Sequence, residues 1–357
     1  MEIQTRIDAF EKFGEILAET LKAQPLLEEF SSDVKDICIR LKDLIQNVKN
    51  KNPWFSSENV ILALEAISGS LSCINIKCWV ESFMDELSKN KKSLTIGVVM
   101  AGNIPLVGFF DFFYVLMSGH KFSGKLSAQD NKLLPLLGEL LISIEPGFNN
   151  MIEFTKEKLS GFDAVIATGS DNTSRYFDYC FGKYPNIIRN SRSSVAILSG
   201  REQCEELALL GSDIFSYFGL GCRNVSKFYI PRSFSFDMFF DAIEDFRHVI
   251  ENHKYKNNYD YYKSIYLLNK EKFYDNGFLI LKESQEISSP VSAIYYEYYD
   301  DLNAVKHHLK EEKERLQCVV SDPSVIAKGV PFGTTQYPQL WDYADNINTM
   351  KFLLKLS

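Results

Sequence analysis

The chain has 357 residues, of which 45% are hydrophobic and 24% are charged, with a formal net charge of −8 at pH 7. This composition is typical of a globular protein with more than one packed core. The negative balance and the lack of a basic stripe argue against nucleic acid as the main partner.

The seven cysteines are scattered and form no CxxC pair, and the histidines show no HExxH spacing. This pattern predicts reduced thiols in a cytoplasmic protein, with no disulfide frame and no metal site. The first residues, from Met1 to Arg6, are polar, which predicts no signal peptide. The longest apolar run, 104–117, is interrupted by Pro105, Gly108 and Asp111 and is too short to cross a bilayer.

Residues 1–92 are predicted to be helical, because apolar residues recur near a 3.6-residue period from Ile3 onward. Ser56 and Ser57, followed by Glu58, indicate the N-cap of one of these helices.

From residue 93 short apolar runs predict strands, which alternate with turns and helices. The predicted strands are 94–100, 122–126, 162–167, 187–188, 195–198, 225–230 and 318–320. Predicted helices end near Met117 and Phe181 and cover 132–142 and 203–218, and the tail after Pro338 has a helix-like pattern to Ser357. This alternation predicts an α/β fold with an open parallel sheet.

Many aromatic residues lie between Tyr255 and Tyr299. They are interpreted as core and sheet-surface residues, and the alternative is an apolar channel for an acyl chain.

The segment from Tyr217 to Ile230 is the strongest candidate for a reactive site. A predicted helix leads into Gly219-Leu220-Gly221, then Cys222, then a strand that Pro231 ends. Glycines let the backbone approach a ligand closely, which suits a thiol that attacks a carbonyl while its own N–H faces the oxyanion. The alternative is a helix C-cap followed by a buried, unreactive cysteine.

Four further segments stand in a fixed order around this cysteine. They are Ala101-Gly102-Asn103-Ile104-Pro105-Leu106, Gly124-Lys125-Leu126-Ser127-Ala128, Ala167-Thr168-Gly169-Ser170 and Glu286-Ile287-Ser288-Ser289-Pro290-Val291, with a late Pro331-Phe332-Gly333. Together they resemble the aldehyde dehydrogenase superfamily, and within it the fatty acyl-CoA reductase branch related to the reductase of bacterial bioluminescence. The resemblance covers most of residues 94–340.

The resemblance implies a parallel-sheet, Rossmann-type cofactor domain, a smaller α/β catalytic domain and a helical N-terminal region. The expected division is a helical region at 1–92 packed on the cofactor domain, a dinucleotide-binding domain at 93–200, a catalytic domain at 201–321, and a segment at 322–357 that returns to the cofactor domain.

The resemblance also implies the chemical roles of Cys222 and Asn103. Cys222 is the nucleophile, and the Asn103 amide donates to the oxyanion. The alternative for Asn103 is a turn residue. The family's tryptophan before this asparagine is missing here.

The cofactor roles follow in the same way. Lys125 contacts the adenosine ribose or its phosphate, and Thr168, Gly169 and Ser170 form a turn at a helix N-terminus, where N–H groups meet a phosphate. Ala128 stands where NAD users have a glutamate for the 2′-hydroxyl, which favours NADPH, with NADH as the alternative. The alternative for Lys125 is a surface lysine.

Glu286 is the expected anchor of the nicotinamide ribose, and a solvated loop acid is the alternative. The family's phenylalanine in this segment is Ser288 here.

Arg189 aligns with the glutamate that activates water in hydrolytic members of the family. Without that base, no side chain at this position activates water to hydrolyse a thioester. This suits an enzyme that works between thioester and aldehyde, because hydrolysis would destroy its intermediate. This departure is also compatible with an inactive protein.

The expected function is NADPH-dependent reduction of a fatty acyl thioester, with acyl-CoA as the substrate, to the aldehyde. The alternatives are a CoA-independent aldehyde dehydrogenase and a non-catalytic protein that binds a nucleotide or a partner. Expected partners are acyl-CoA or another acyl thioester, an acyl-transferring enzyme and further copies of the chain in a homo-oligomer.

Overall fold

The computed structural model describes residues 1–25, 29–89 and 92–356. By their internal contacts they form two compact units, 1–190 with 337–357 and 191–336. The boundary of the predicted domains at residue 92 adjoins residues outside the described ranges. The predicted division into four segments stays a prediction.

Unit 1 begins with helices and continues with alternating strands and helices. Its elements are α1 (Ile3–Leu21), α2 (Ser32–Asn47), α3 (Ser57–Ser70), α4 (Cys73–Glu81), α5 (Met84–Leu87), β1 (Thr95–Val99), α6 (Phe109–Met117), β2 (Lys121–Lys125), α7 (Leu133–Ile144), β3 (Ile152–Thr155), β4 (Ala164–Thr168), α8 (Asp171–Phe181) and β5 (Asn186–Arg189). The predicted cap at Ser56 is confirmed, since its side chain accepts a hydrogen bond from the Asn59 N–H.

The sheet of unit 1 has five strands in the order β3-β2-β1-β4-β5, and all neighbours are parallel. Its helices supply an aromatic core, in which the rings of Phe10 and Phe113 meet edge to face at 4.9 Å. The predicted α/β architecture with a parallel sheet is confirmed.

Unit 2 contains β6 (Ser193–Ile197), α9 (Cys204–Phe215), β7 (Val225–Pro231), α10 (Phe236–Ala242), α11 (His253–Leu268), β8 (Tyr274–Asp275), β9 (Ile280–Glu283), β10 (Ala293–Tyr299), α12 (Leu302–Glu311) and β11 (Leu316–Val320). Its sheet has the order β11-β6-β7-β10-β9-β8, parallel except for the last pair. β7, which follows Cys222, is therefore a central strand.

The tail differs from its predicted helical pattern. Most of it is irregular, and the one α-helix assigned within the described tail is α13 (Thr349–Leu354), in unit 1. The tail returns to unit 1 through hydrogen bonds: Tyr114 Oη donates to the Leu340 carbonyl, and Trp79 Nε1 donates to Tyr343 Oη, both at 2.9 Å.

The aromatic residues of unit 2 divide between core and surface. Tyr259 and Tyr266 pack with Ile280 and Ala293 in a buried cluster, and Tyr255 is buried with its hydroxyl donating to the Phe278 carbonyl. Other side chains of the run, such as Tyr261, are exposed. The contacts of the buried members support the interpretation as core.

Candidate functional site

The turn before Cys222 has an unusual backbone. α9 ends at Phe215, three residues earlier than the sequence predicts, and the chain then passes through Tyr217, Phe218 and Gly219 with φ of 53°, 57° and 76°. Left-handed backbone costs free energy at residues other than glycine, so tertiary contacts must hold this turn.

Asn224 supplies such contacts. Its Nδ2 donates to the carbonyls of Asp213, Ile214 and Ser216 at 3.0, 3.4 and 2.8 Å, and its Oδ1 accepts from the Gly221 N–H at 2.8 Å. The side chain is 3% exposed. Asn224 thus ties the end of α9 to the residue before the cysteine, and sequence reasoning missed it.

Cys222 is exposed, which contradicts the burial that the alternative interpretation expects, and its reactivity stays a prediction. Ser194, on the neighbouring strand β6, fixes the backbone of this cysteine. Ser194 Oγ donates to the Cys222 carbonyl at 2.9 Å and accepts from the Cys318 N–H at 3.1 Å. Ser194 has no solvent exposure. The turn therefore presents a thiol to solvent on a backbone fixed from two sides.

Arg223 follows the cysteine, and its guanidinium contacts a different sulfur. Its Nη1 donates to Cys318 Sγ at 3.3 Å. The side chain is thus engaged with β11, and this contact gives it a packing role.

Asp213, in α9, anchors the predicted late turn. Its carboxylate accepts hydrogen bonds from the Gly333 N–H, the Thr335 N–H and Thr335 Oγ1, at 2.7, 3.0 and 2.8 Å. Burial raises the pKa of Asp213, although these three hydrogen bonds act in the opposite direction. Through Asn224 and Asp213, the cysteine turn and the 331–335 turn share one support.

Glu286 lies in the connection between β9 and β10. Its side chain is 73% exposed, and its carboxylate is 3.8 Å from an amino group of Arg315. The carboxylate predicted to bind the nicotinamide ribose is therefore accessible to solvent and lies at the long end of the ion-pair range from Arg315.

In unit 1 the loop carrying Asn103 packs against the loop that follows Lys125. A Cβ on Gly102 would lie 2.7 Å from Ser127 Cβ, so only glycine permits this approach. Asp130 adds a second tie by accepting from the Leu106 N–H at 2.9 Å. The structure brings the segments of Asn103 and Lys125 together, with Asn103 exposed and Lys125 partly buried at the end of β2.

The Thr168-Gly169-Ser170 turn joins β4 to α8, as predicted. Ser170 precedes the helix without capping it, and its hydroxyl instead pairs with Thr173 Oγ1 at 2.9 Å. A Cβ on Gly169 would lie 3.0 Å from Thr173 Cβ and from the Phe177 ring, so the absent side chain allows the turn to sit close on the helix. The first-turn N–H groups of α8 lie beside this turn.

Arg189, at the end of β5, is buried in an ion pair. Its Nη1 and Nη2 donate to the two oxygens of Asp111 at 2.6 and 2.8 Å, and Nη2 also donates to Thr349 Oγ1 at 3.0 Å. Burial is the largest single influence and lowers the pKa of Arg189. The charge and hydrogen bonds of Asp111, with smaller contributions from Asp345 and Tyr114, together raise the pKa above its ordinary value. Nη1 further contacts Thr168 Oγ1 at 3.5 Å, which places Arg189 beside the predicted cofactor turn.

The candidate residues thus fall into two groups. Asn103, Lys125 and the 168–170 turn belong to unit 1, and Cys222 and Glu286 belong to unit 2. Across the described ranges, no group of three or more His, Cys, Asp or Glu side chains could hold a metal ion.

Among the described residues, no single helix is long and apolar enough to cross a membrane. The bent pair Ser57–Ser70 with Cys73–Glu81 meets the length and composition criteria together.

No protein-family model and no curated protein sequence matches the chain. Solved structures do match, and aldehyde dehydrogenases from several organisms are among them. One is a putative aldehyde dehydrogenase from Burkholderia cenocepacia, with 11% identity, a TM-score of 0.57, and coverage of 91% of this chain and 80% of that one.

Another is aldehyde dehydrogenase 21 from Physcomitrella patens in complex with the reaction product succinate, with 12% identity, a TM-score of 0.58, and coverage of 99% and 87%. A third is Mycobacterium tuberculosis aldehyde dehydrogenase complexed with NAD+, with 13% identity, a TM-score of 0.55, and coverage of 91% and 76%. At these identities the likeness shows the fold, and the predicted aldehyde dehydrogenase-like fold is confirmed.

Proposed function

We propose that the protein is an NADPH-dependent reductase that converts a fatty acyl thioester, with acyl-CoA as the donor, to the aldehyde through an acyl-enzyme on Cys222. The observation that carries the proposal is the exposed Cys222 on a turn whose backbone accepts a hydrogen bond from Ser194 and donates one to Asn224. A fixed backbone suits nucleophilic catalysis, because the attacking atom keeps its position without an entropic cost at each turnover.

The buried pair of Arg189 and Asp111 supports reduction over hydrolysis. A base that activates water must be neutral or anionic and reach the solvent, and Arg189 is cationic and enclosed with its partner carboxylate. If Arg189 takes the place of the family's glutamate, the acyl-enzyme has no base at that position and survives until hydride arrives.

The residues of unit 1 fit a nicotinamide cofactor. The α8 N-terminus, beside Gly169 and Ser170, offers N–H groups for a phosphate, and Lys125 offers a cation at the end of the strand β2. Ala128 is exposed and places no carboxylate at this position to repel a 2′-phosphate. The matching solved structures include complexes with NAD+, so NADH is the alternative to NADPH.

In the proposed mechanism the Cys222 thiolate attacks the thioester carbonyl, and the Asn103 amide and the Cys222 N–H donate to the oxyanion. Collapse expels the CoA thiolate and leaves the acyl group on the sulfur. A nicotinamide cofactor, when bound, would supply the hydride that converts this acyl-enzyme to a thiohemiacetal. The resulting thiohemiacetal collapses, the C–S bond breaks, and the aldehyde leaves with Cys222 restored as thiolate. Glu286 and Lys125 act by holding the cofactor.

The test follows NADPH and NADH absorbance with acyl-CoAs from short to long chain, for the wild type and Cys222→Ala. We expect cofactor oxidation that depends on the thioester and falls by about 10⁴-fold or more in the variant, since the loss of a nucleophile has costs of this order. Cys204→Ala, which changes another exposed cysteine of unit 2, is the matched control and should keep wild-type activity.

Full activity of Cys222→Ala would refute the mechanism. A wild type that binds the cofactor but oxidises none with any acyl-CoA would shift the proposal to an acyl donor delivered by a partner enzyme, or to a non-catalytic role.

The second candidate is a CoA-independent aldehyde dehydrogenase, which the names of the matching structures favour. Acid formed from aldehyde and NAD(P)+ without CoA would decide for it. The position of Arg189 argues against this reaction.

A further inference from the structure

Lys227 is a charged side chain in the centre of a sheet. It lies in β7, paired with Val195 of β6 on one side and Tyr295 of β10 on the other, and it has no solvent exposure. A buried ammonium group is costly unless it is paired and hydrogen-bonded. An apolar side chain would fill this position at lower cost, so the contacts of the ammonium group indicate its role.

Those contacts fully engage the ammonium group. Its Nζ donates to Glu297 Oε2 at 2.7 Å and to the Gln285 carbonyl at 2.9 Å, and it lies 4.8 Å from the centre of the Tyr229 ring. Glu297 faces Tyr229 across the β7–β10 pair. The ion pair with Glu297 and the Tyr229 ring compensate the positive charge of Lys227. The third contact is with the Gln285 carbonyl, outside the strands of the sheet.

The residue before Lys227 makes the matching contact. Ser226 Oγ donates to the Ile287 carbonyl at 2.9 Å, its shorter contact, and lies 3.3 Å from the Ser194 carbonyl. Lys227 and Ser226 therefore donate hydrogen bonds to the carbonyls of the residues before and after Glu286. The Glu286 N–H donates to Ser284 Oγ at 3.2 Å.

We infer that Lys227 and Ser226 are positioning residues that clamp the 285–287 backbone to β7 and so aim the Glu286 carboxylate at the nicotinamide ribose. The inference rests on the proposed function for its ligand. β7 begins three residues after Cys222, so one central strand carries both the nucleophile turn and the clamp. The strand thereby fixes the cofactor anchor in the same frame as the thiol.

The first experiment is a double-mutant cycle on NADPH affinity, measured by fluorescence titration. We expect Ser226→Ala to weaken binding about threefold to tenfold, the effect of one neutral hydrogen bond, and Lys227→Met to weaken it more, since its bond is charge-assisted. In a Glu286→Gln background both effects should shrink to less than about twofold, because residues that act through one group are not additive.

Two choices keep the cycle interpretable. Ser226→Ala removes only a hydroxyl, so it tests the clamp even if Lys227→Met fails to fold. Ser264→Ala removes a similar hydroxyl bond, to the Asp260 carbonyl on the exposed side of α11, and should leave the affinity unchanged. Wild-type affinity in both clamp variants, or the same weakening with and without Glu286, would overturn the inference.

Hydrogen exchange separates this inference from the proposed function. In Ser226→Ala and Lys227→Met, amides in the 284–288 segment should exchange faster while those of the β7 and β10 ladder keep their protection. Unchanged exchange in this segment would overturn the clamp even if NADPH binds. Faster exchange in a protein whose wild type fails to bind NADPH would support the clamp and refute the cofactor.

Discussion

At the scale of single residues, Asn224 controls the shape of the cysteine turn. It accepts one hydrogen bond and donates to three carbonyls near the end of α9, all from a buried position. Tyr217 and Phe218, with positive φ, lie between these contacts, and residues other than glycine avoid that conformation. This amide side chain therefore stabilises the strained turn.

We expect Asn224→Ala to lower the free energy of unfolding by about 2–3 kcal/mol, because it leaves several buried backbone groups without their partner. Urea unfolding measures this change, and the proposed activity should fall with it as the Cys222 turn relaxes. Asn258→Ala is the control, since Asn258 makes one exposed bond on α11. Equal stability of the two variants would contradict the role given to Asn224.

The sequence singled out Cys222 through its glycines but gave no sign of Asn224 or of the burial of Lys227. An asparagine after a turn has several ordinary uses, and its partners here are backbone groups of α9, which only the folded chain brings near. Lys227 lies in an alternating strand, where a lysine normally faces solvent. Its burial follows from the segment packed over the sheet, which periodicity does not reveal.

At the scale of elements, α9 and the 331–335 turn are joined through one carboxylate. Burial raises the pKa of Asp213 above the ordinary value, and the hydrogen bonds from Gly333 and Thr335 only partly offset this. The folded state therefore binds the Asp213 proton more tightly than the unfolded chain does.

This linkage has a definite sign. The contribution of Asp213 to stability is fully present below its unfolded-state pKa and is lost as pH rises through the higher folded-state pKa. As pH rises across that interval, we expect the unfolding free energy of the wild type to fall relative to that of Asp213→Asn. Urea unfolding at a series of pH values measures it, and a difference that is constant with pH would contradict the raised pKa.

Some elements lie close to their predicted positions, whereas β3, β8, β9 and β10 are absent from the predicted strands. β1 and β4 are buried apolar runs and β7 is an alternating run, all bounded by turns, and each lies close to its predicted position. The edge strand β3 was missed because its four residues are mostly half-exposed, so they show no continuous apolar run. The tail was predicted as helix-like although its contacts with unit 1 hold most of it as irregular structure.

At the scale of the whole molecule, unit 1 is discontinuous in sequence. Residues 1–190 are completed by 337–357, and the tail contributes Leu340, Met350 and Leu353, all fully buried. The Leu353 carbonyl also contacts His120 Nε2 at 3.1 Å. The parallel sheet could be predicted from the sequence, but this return depends on long-range packing.

We expect a chain that ends at Gln336 to lose the stability of unit 1, because each of those buried apolar side chains contributes about 1.5–3 kcal/mol. Hydrogen exchange should show β1–β5 unprotected and β6–β11 still protected. A chain that ends at Lys355 is the control and should resemble the wild type. Equal protection of β1–β5 in both truncations would show that the tail is dispensable.

The discontinuity also determines the order in which the protein can form on the ribosome. Domains generally fold as they emerge, with the N-terminal one first. Here residues 191–336 are synthesised in full before the strand-and-helix layer that precedes them receives its last helix. Residues 1–190 therefore lack their last helix, and part of their apolar core, while residues 191–336 are synthesised and fold. Nascent chains should thus depend most on chaperones during synthesis of residues 191–336.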